Sequence, residues 1–347
     1  MRAIYATRLG GESPLNNFEL GARPEPTPGR GQVRVRMRAA SLNHHDYWTL
    51  KGVVGHPITP PRILGCDGSG VVSDYGPDAP DGAPRVGAEV VLYPVTFCGA
   101  CGACRGDDPM LCRSFYMLSD GPIDGSFADY VVLPAQNVVP KPTALTFEEA
   151  ACMGTTYLTA FRMLFTKGRL RPGQRILVQG AGGGLATAAI QLGAAAGATV
   201  IVSSRFEEKL ARAKEIGAHE AVLAGRDAAK SILKLTDGTG VDVVIESVGE
   251  PTWPTSVRAV RPGGAIVVSG ATAGANPPAD LARIFWRQLQ ILGSTEGTLA
   301  EFIDLLRFVE RTRIKPVIDA VYPLDRASEA FGRLASGEFF GKLVFAI

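Results

Sequence analysis

The spacing of apolar and polar positions is most regular between Arg175 and Ser294. There, short runs rich in Val and Ile alternate with stretches of helix length, such as Glu207 to Ile216. This alternation is typical of βαβ units, whose strands are parallel. The predicted strands are Arg175–Gln179, Thr199–Ser203, Glu220–Leu223, Asp242–Glu246, Ala265–Ser269 and Gln290–Gly293. The pattern therefore predicts a doubly wound parallel sheet.

The first 150 residues follow a different pattern. Gln32 to Arg38 alternates apolar and charged side chains with a period of two. Val86–Leu92 and Phe127–Leu133 are short apolar runs among Gly and Pro turns. These features predict an antiparallel sheet or a small barrel.

A third segment follows Ser294. A stripe with helical period predicts a helix whose buried face holds Leu299, Phe302, Ile303, Leu306 and Val309. The last apolar run, Lys342 to Ile347, predicts a strand. We expect this segment to return to the first domain. The predicted fold class is α/β, with a mostly antiparallel β domain (1–154), a doubly wound nucleotide-binding domain (155–295) and a C-terminal return to the first domain (296–347).

Composition narrows the class of ligand. The 347 residues suggest two domains, and a formal net charge of +2 gives no electrostatic footprint for nucleic acid or anionic membrane. No apolar run approaches the roughly 18 residues of a membrane span, and the first residues lack the apolar core of a secretory signal. We therefore expect a cytoplasmic protein that acts on small molecules.

Four cysteines, Cys98, Cys101, Cys104 and Cys112, have the spacing C-x2-C-x2-C-x7-C. Four thiolates in one short loop predict a tetrahedral Zn2+ site in a lobe at about 95–115, and this site is structural because no coordination position stays open. The alternatives are disulfides and an iron–sulfur cluster. The expected reducing compartment disfavours disulfides, and the last spacing differs from that of bacterial ferredoxins.

A glycine-rich turn follows the first strand of the parallel sheet. Gly182, Gly183, Gly184 and Leu185 lie between this strand and an Ala-rich helix, in the register Ala181-x-Gly183-x-x-Ala186. Strand, glycine turn and helix together predict a pyrophosphate site at the helix N-terminus. The alternative is a tight turn between packed elements.

The end of the second strand predicts the cofactor. It carries Ser203, Ser204 and Arg205 in place of the Asp or Glu that binds the ribose of NAD. Ser204 and Arg205, with Lys209 one turn later, therefore favour NADP(H). The alternative for Arg205 is a solvated surface residue. We also predict cofactor contacts at Val248, Gly270 and Ala271, after the fourth and fifth strands.

Several phrases indicate a family. They are ILGCDGSG at Ile63 to Gly70, GSFADYVVLPAQNVVPKP, ESVG and the terminal GKLVFAI, together with the cysteine lobe and the glycine turn. The chain resembles the zinc-containing alcohol dehydrogenases and quinone oxidoreductases, which are medium-chain dehydrogenases and reductases. The resemblance implies a GroES-like catalytic domain built from both chain ends and a Rossmann domain between them. It also implies that substrate and nicotinamide meet in the interdomain cleft, and that homodimers or homotetramers form through the Rossmann sheets.

The chain departs from this family at the catalytic metal. Zinc-catalytic members hold a second metal at positions that correspond here to Asn43, Cys66 and Thr155. All three ligands are replaced. A metal gathered by Cys66, Asp67 and His45 is an alternative, and a small buried hydrophobe is the other interpretation of Cys66.

Without a metal to polarise a ketone, conjugated acceptors are favoured, because hydride addition then spreads charge into an enolate. We predict an NADPH-dependent reductase of enones, enals, enoyl thioesters or quinones. The predicted catalytic residues are Asn43, His45, Asp46 and Thr155, and Thr159 matches a family threonine beside the nicotinamide. Turn, interior and capping roles are the alternatives for Asn43, His45 and Asp46.

Four aromatic residues are candidates for the wall of an apolar pocket, although aromatic residues at such spacings are often core: Tyr47, Trp48, Phe285 and Trp286. The competing functions are an NADP-dependent alcohol dehydrogenase or carbonyl reductase and an inactive NADP(H)-binding protein.

Overall fold

The structure, a computed structural model, describes residues 1–53, 57–106 and 108–347. The contacts among them define two compact units. Unit 1 comprises Met1–Thr156 and Thr298–Ile347, and unit 2 comprises Tyr157–Gly297. The chain thus builds unit 1 from two separate segments and inserts unit 2 between them.

The first segment of unit 1 is mostly β-structure. Its strands are β1 (Arg2–Ala6), β2 (Phe18–Ala22), β3 (Gln32–Ser41), β4 (Arg62–Ile63), β5 (Ser69–Tyr75), β6 (Glu89–Leu92), β7 (Val95–Thr96), β8 (Tyr116–Met117), β9 (Tyr130–Pro134) and β10 (Val138–Pro140). Its helices are α1 (His44–Lys51), α2 (Gly102–Arg105) and α3 (Phe147–Ala151).

Unit 2 alternates strands with helices. Its strands are β11 (Arg175–Gln179), β12 (Thr199–Ser204), β13 (Glu220–Leu223), β14 (Val241–Glu246), β15 (Val260–Val268) and β16 (Gln290–Gly293). Its helices are α4 (Leu158–Phe161), α5 (Gly184–Ala195), α6 (Glu207–Glu215), α7 (Ala228–Leu235), α8 (Trp253–Ala259) and α9 (Leu281–Trp286). The strands are parallel in the order β13-β12-β11-β14-β15-β16. This is the 3-2-1-4-5-6 order of a Rossmann sheet, so the predicted fold class is confirmed.

The last segment completes unit 1. It contains α10 (Leu299–Thr312), β17 (Ile318–Pro323), α11 (Ala327–Ser336) and β18 (Lys342–Ala346). Strand β18 pairs antiparallel with β3 and parallel with β17. The large sheet of unit 1 has the order β10-β6-β5-β3-β18-β17, and β9 also pairs with β3. The returning segment therefore supplies a strand next to β3, which is the longest strand of that sheet.

Four sequence predictions differ from the structure. The strand predicted at Ala265–Ser269 extends over Val260–Val268, because Val260 already pairs with Val241 of β14. The strand predicted at Val86 begins at Glu89, because the preceding residues form a turn around Gly87 with a φ of +87°. The strand predicted at Phe127 begins at Tyr130. The buried face of α10 includes Leu305, whereas Leu299 and Ile303 are half-buried.

Aromatic packing ties the last segment to the first. The ring of Phe127 meets those of Phe345 and Phe331 edge to face, at centroid distances of 5.0 and 6.3 Å. All three side chains are fully buried. Such pairs contribute about 0.5–1.5 kcal/mol each beyond their buried area. A bilayer-spanning helix is not found in the described parts of the chain.

Candidate functional site

Helix α1 begins among the predicted catalytic residues. Asn43 is its N-cap, and Asp46 accepts a hydrogen bond from the Asn43 backbone N–H at 2.8 Å. The other Asp46 oxygen accepts from the Gly65 backbone N–H at 3.1 Å. A carboxylate in the first turn satisfies free N–H groups and faces the positive end of the helix dipole. Asp46 thus ties α1 to the loop that carries Cys66.

The contact between Asp46 and the Cys66 loop is shielded from solvent. Asp46 is fully buried, and burial raises its pKa to about 6 although the charge of His45 opposes the shift. Gly65 has a φ of +101°, and a Cβ there would lie 2.4 Å from the Phe127 ring. The close approach of the loop to the aromatic core therefore requires glycine at this position.

Asp67 is the centre of a buried polar cluster. One carboxylate oxygen accepts from Ser41 Oγ at 3.1 Å and Asn43 Nδ2 at 2.8 Å, and the other accepts from Thr155 Oγ1 at 2.8 Å. Asp67 is fully buried, so these bonds replace water around its charge. A Cβ on Gly154 would lie 2.3 Å from the same carboxylate. The glycine is what lets Thr155 and Asp67 come together.

Lys342 reaches this cluster from β18. Its ammonium donates to Asn43 Oδ1 at 2.5 Å and to the Leu42 carbonyl at 2.8 Å, and lies 3.8 Å from Asp67. Lys342 is only 3 % exposed, so the carboxylate balances a charge that has left water. Because the Asn43 oxygen accepts from Lys342, the Asn43 amide nitrogen faces Asp67 and, at 3.4 Å, Cys66 Sγ.

The residues of this cluster do not fit a catalytic zinc ion. Asn43 turns its N–H groups toward Cys66, and the Thr155 hydroxyl gives its proton to Asp67, which can only accept. Cys66 is the thiol of the cluster and lies 3.5 Å from Thr155 Oγ1. Apart from the four-cysteine lobe, residues 1–53, 57–106 and 108–347 bring no three His, Cys, Asp or Glu ligand atoms together. The alternative metal site at Cys66, Asp67 and His45 is therefore not assembled.

His45 is more accessible to solvent than Asp46 and Asp67, because its side chain is 15 % exposed and theirs are fully buried. Its Nε2 lies 3.0 Å from the carboxylate of Asp120, which is 4 % exposed. Burial acts to lower the pKa of His45, but the hydrogen bond and charge of Asp120, with the charges of Asp46 and Asp67, outweigh it and raise the pKa above 6.5. These contacts favour the imidazolium form of His45 more than water would around a free histidine.

Three residues of this site were not predicted from the sequence: Ser41, Asp120 and Lys342. Asp120 lies 75 residues from His45 and has no motif spacing to it. Lys342 lies 299 residues from Asn43, and the available signal was a lone lysine in an otherwise apolar strand.

The four-cysteine lobe has the geometry of a tetrahedral metal site. The sulfur atoms all lie within 4.8 Å of one another, with separations of 3.8 Å (Cys98–Cys104), 3.5 Å (Cys101–Cys104) and 3.6 Å (Cys98–Cys112). A tetrahedron with Zn–S bonds of about 2.3 Å has edges of about 3.8 Å. Backbone N–H groups of Ala100 and Cys101 lower the pKa of Cys98 to about 6, which favours the thiolate. These residues fit Zn2+.

In unit 2 the predicted cofactor loop lies at the carboxyl end of β11. Gly180 has a φ of +83°, and Gly183 is the N-cap of α5 without a capping side chain. A Cβ on Gly183 would meet no atom within 4 Å, so this side of the loop is open to a ligand. The free N–H groups of α5 can therefore bind a pyrophosphate at this loop.

The neighbouring strand ends border this loop. Val248 Cγ2 lies 3.5 Å from where a Gly180 Cβ would be, and the backbone of Gly270 approaches Ser247. Gly182, Gly184 and Leu185 belong to the loop and the start of α5. Ala271 is exposed at the end of β15. The structure thus brings the cofactor residues predicted after three strands to one edge of the sheet.

The end of β12 carries positive charge. The Arg205 guanidinium and the Lys209 ammonium lie over the Phe206 ring, at 5.5 and 5.2 Å from its centroid. Ser204 accepts a hydrogen bond from the Phe206 backbone N–H at 3.2 Å. A Cβ on Gly182 would lie 2.6 Å from the Lys209 stem, so Lys209 crosses the glycine loop. Two cations therefore border the end of β12.

The remaining predicted residues have separate places. Thr159 is buried in α4 of unit 2. Phe285 and Trp286 were predicted to wall an apolar pocket, but they are 68 % and 80 % exposed. Helix α9 turns Arg283 inward, where it donates to the Val257 and Arg258 carbonyls, and this orients the aromatic side chains outward. Tyr47 packs beside the aromatic core of unit 1, and Trp48 contacts His44.

Comparison with known proteins decides the family. The profile of the alcohol dehydrogenase GroES-like domain matches residues 29–143, and that of the zinc-binding dehydrogenases matches residues 184–311. A zinc-type alcohol dehydrogenase-like protein of Schizosaccharomyces pombe is 33 % identical over 100 % of this chain and 99 % of its own. The chain belongs to the medium-chain dehydrogenase/reductase superfamily. It is therefore built as an oxidoreductase of this superfamily, and the resemblance inferred from the sequence is confirmed.

Other members of the superfamily differ in their named activities. A crystal structure of an NAD-dependent alcohol dehydrogenase is 40 % identical, covers 100 % of both chains and has a TM-score of 0.93. A crotonyl-CoA carboxylase/reductase of Cereibacter sphaeroides is 32 % identical over 92 % of this chain and 81 % of its own.

Replacement of Cys104 by Ser should remove the bound metal and lower the thermal stability of unit 1. We expect zinc to fall from about one per chain to near zero, because structural zinc supplies on the order of 10 kcal/mol in small zinc-binding peptides. Elemental analysis and calorimetry measure both effects. Cys152→Ala, a buried cysteine outside the lobe, is the control and should keep the zinc. Full zinc content in Cys104→Ser would contradict the assignment.

Proposed function

We propose that this chain is an NADPH-dependent reductase that transfers hydride to an activated double bond or a quinone without a catalytic metal ion. Enones, enals, enoyl thioesters and quinones are the substrate classes. Unit 2 binds the nucleotide, the polar cluster of unit 1 holds the loop before α1, and His45 donates the proton. One structural zinc stabilises the cysteine lobe.

The observation that carries this proposal is the composition of the cluster around Asp67. Where zinc-catalytic relatives would hold a metal, this chain has an amide, a single thiol and a hydroxyl. The amide of Asn43 is turned by Lys342 so that N–H groups face Cys66. The N–H groups of Asn43 are hydrogen-bond donors and cannot coordinate a divalent cation. The cluster therefore offers no set of anionic ligands to such an ion.

Reduction of a conjugated acceptor suits such a site. NADPH held at the glycine loop of unit 2 would supply a hydride to the β carbon of the acceptor. The C=C electron pair would then move toward the carbonyl oxygen, and the resulting enolate would take up one proton. A hydrogen-bond donor that carries positive charge stabilises the developing oxyanion. His45, with its raised pKa, supplies both the hydrogen bond and the proton.

The relatives support two candidates. Crotonyl-CoA is an enoyl thioester, so the reductase related over 92 % of this chain acts on the proposed class of substrate. The second candidate is an NADP-dependent alcohol dehydrogenase or carbonyl reductase. The 40 % identical NAD-dependent alcohol dehydrogenase supports the alcohol dehydrogenase activity of this candidate, but its named cofactor is NAD. An inactive NADP(H)-binding protein is the third candidate, because a fold alone does not guarantee turnover.

Oxidation of NADPH with a panel of enones, enoyl thioesters, quinones and simple ketones separates these candidates. We expect turnover of the conjugated acceptors with about one zinc per chain, and His45→Gln should lower kcat roughly 100-fold because the proton donor is lost. His44→Gln is the matched control and should retain kcat. A second zinc lost together with activity in Cys66→Ala would contradict the proposal. Binding of NADPH without turnover of any acceptor would favour the inactive protein.

The preference for NADPH rests on the end of β12. No carboxylate lies at residues 203–206, and Arg205 and Lys209 both flank the Phe206 ring. A 2'-phosphate would form an ion pair and bidentate hydrogen bonds with the guanidinium, whereas the 2'-hydroxyl of NADH carries no charge and offers a single acceptor oxygen.

Arg205→Ala should weaken NADPH binding by about 1–3 kcal/mol and leave NADH affinity nearly unchanged, because only the phosphate contact is lost. Titration calorimetry with both nucleotides measures the difference. Lys234→Ala is the control, since Lys234 is an exposed cation at the far end of α7. Equal affinity of the unmutated protein for NADH and NADPH would refute the preference.

We also propose that the chain forms a homo-oligomer through the β16 edge of unit 2. The residues around this edge strand include several exposed apolar side chains: Leu281, Phe285, Trp286 and Ile291. Clusters of this kind on a soluble domain are typical of protein contacts, and an edge strand offers free backbone groups for pairing.

Trp286→Asp should shift the mass measured by light scattering from a dimer or tetramer to a smaller species, because a charge then lies in the apolar contact. Leu223→Asp, at the opposite edge strand β13, is the matched control and should keep the native mass. A monomeric unmutated protein, or an unchanged mass in Trp286→Asp, would contradict this proposal.

A further inference from the structure

Asp120 lies at a strained turn next to His45. The preceding residue, Ser119, has a φ of +74°, in the left-handed region. A residue with a Cβ costs about 1–2 kcal/mol there. Ser119 is fully buried, and its hydroxyl has no hydrogen-bond partner among the residues that the structure describes. Ser119 therefore lowers the stability of the fold in two ways, through its left-handed backbone conformation and through its unsatisfied buried hydroxyl.

The turn is held from both sides. The Leu118 N–H donates to the Pro94 carbonyl at 2.8 Å, and the Asp120 N–H donates to the Met117 carbonyl at 3.0 Å. Gly121 follows with a φ of +52°, and a Cβ there would lie 2.6 Å from the Tyr116 ring. The backbone around Ser119 therefore has little conformational freedom. The position of the Asp120 backbone, from which its carboxylate extends, is fixed by the same contacts.

The cysteine lobe closes the hairpin that leads into this turn. Strands β7 and β8 pair antiparallel, with Val95 opposite Met117. The Thr96 hydroxyl also donates to the Tyr116 carbonyl at 3.3 Å. All four cysteines lie between the two strands in sequence. The lobe is thus the closed end of a hairpin whose other end delivers Ser119 and Asp120.

We propose that Asp120 is a positioning residue that orients His45 through the hydrogen bond to its Nε2, and that the hairpin closed by the cysteine lobe holds Asp120 in place. The catalytic consequence rests on the proposed function, in which His45 is the proton donor. The positioning itself does not depend on the reaction.

The hydrogen bond fixes the roles of the two ring nitrogens. A carboxylate can only accept, so the Asp120 bond places a proton on Nε2 of His45. In the imidazolium, Nδ1 carries the second proton and is the donor toward the substrate. After that proton moves to the enolate, the neutral ring keeps its Nε2–H bond to Asp120, and Nδ1 takes up one proton from the solvent, which is the proton consumed in each reduction. The imidazole ring of His45 thus loses its positive charge, whereas the hydrogen bond to Asp120 keeps the ring in the same orientation.

Other charges face His45 from the elements packed around it. Asp46 lies on α1 and Asp67 on the loop after β4, and both carboxylates favour the imidazolium. Lys342 acts on Asp46 from β18. Burial opposes all three carboxylates by disfavouring the charged ring. Asp120 adds both a hydrogen bond and a charge, so its removal should let the effect of burial prevail.

The sign of the pH effect follows from this balance. With a raised pKa, His45 stays protonated up to a higher pH, and activity that needs the imidazolium falls as the pH rises through that pKa. Asp120→Asn keeps the size of the side chain but removes the charge. The pKa of His45 should then fall by about one unit or more, and the alkaline limb of kcat should move to lower pH by the same amount.

NMR titration of the full-length protein measures the pKa of His45 directly, with its signal assigned by loss in His45→Gln. A fall in Asp120→Asn, with partial recovery in Asp120→Glu and unchanged NADPH affinity, is the expected result. An unchanged pKa in Asp120→Asn would overturn the positioning role. If the pKa falls as expected but the pH profile of kcat stays in place, Asp120 retains its role and His45 is excluded as the proton donor of the proposed function.

Two variants of Ser119 test the turn without disturbing the metal. Ser119→Gly tolerates a positive φ and should leave the pKa of His45 as it is. Ser119→Val is disfavoured in the left-handed region and should displace Asp120, which lowers that pKa toward the Asp120→Asn value. Equal pKa values in the two variants would show that the turn does not hold Asp120.

The role of the lobe is tested by the same titration after zinc is removed by a chelator. Loss of the metal should lower the pKa of His45 while unit 2 still binds NADPH. An unchanged pKa in folded, zinc-free protein would remove the lobe from the proposal.

Discussion

The buried carboxylate of Asp67 is the constraint on which the rest of unit 1 depends. A charge with no access to water needs several partners. Three segments of the sequence supply them, through Ser41 and Asn43, through Thr155 and through Lys342. Satisfying this one group brings the start of α1, the end of unit 1's first segment and strand β18 together. The same contacts settle which way the Asn43 amide points, and therefore what kind of chemistry the cluster can support.

The two units reach function by different physical means. Unit 2 uses backbone: a glycine turn, an uncapped helix start and strand ends that meet because a parallel sheet aligns them. Unit 1 uses side chains, and each group in its cluster is held by another. A backbone site tolerates many side chains around it, whereas a side-chain network loses several contacts when one member changes.

This difference explains what the sequence could predict. Five of the six strands of unit 2 were predicted to within one residue at each end, because buried parallel strands leave continuous runs of Val and Ile between turns. The sixth, β15, begins five residues before its predicted start. The cysteine lobe was found because its ligands are close in sequence. Asp120 and Lys342 were not, since their partners lie 75 and 299 residues away and only the folded chain brings them together. The exposure of Trp286 was not predicted, because the residue type alone does not show whether an aromatic side chain lies on the surface or in the core.

The position of Lys342 also bears on how the protein is made. Residues 157–297 leave the ribosome before β18 does, so the inserted unit has its whole sequence available while the first unit still lacks a strand beside β3. Domains generally fold as units during synthesis. Unit 2 can thus fold early in synthesis, whereas the charge of Asp67 is not balanced by Lys342 until β18 has been synthesised. Unit 1 can therefore complete its sheet only after the last residues of the chain have been synthesised.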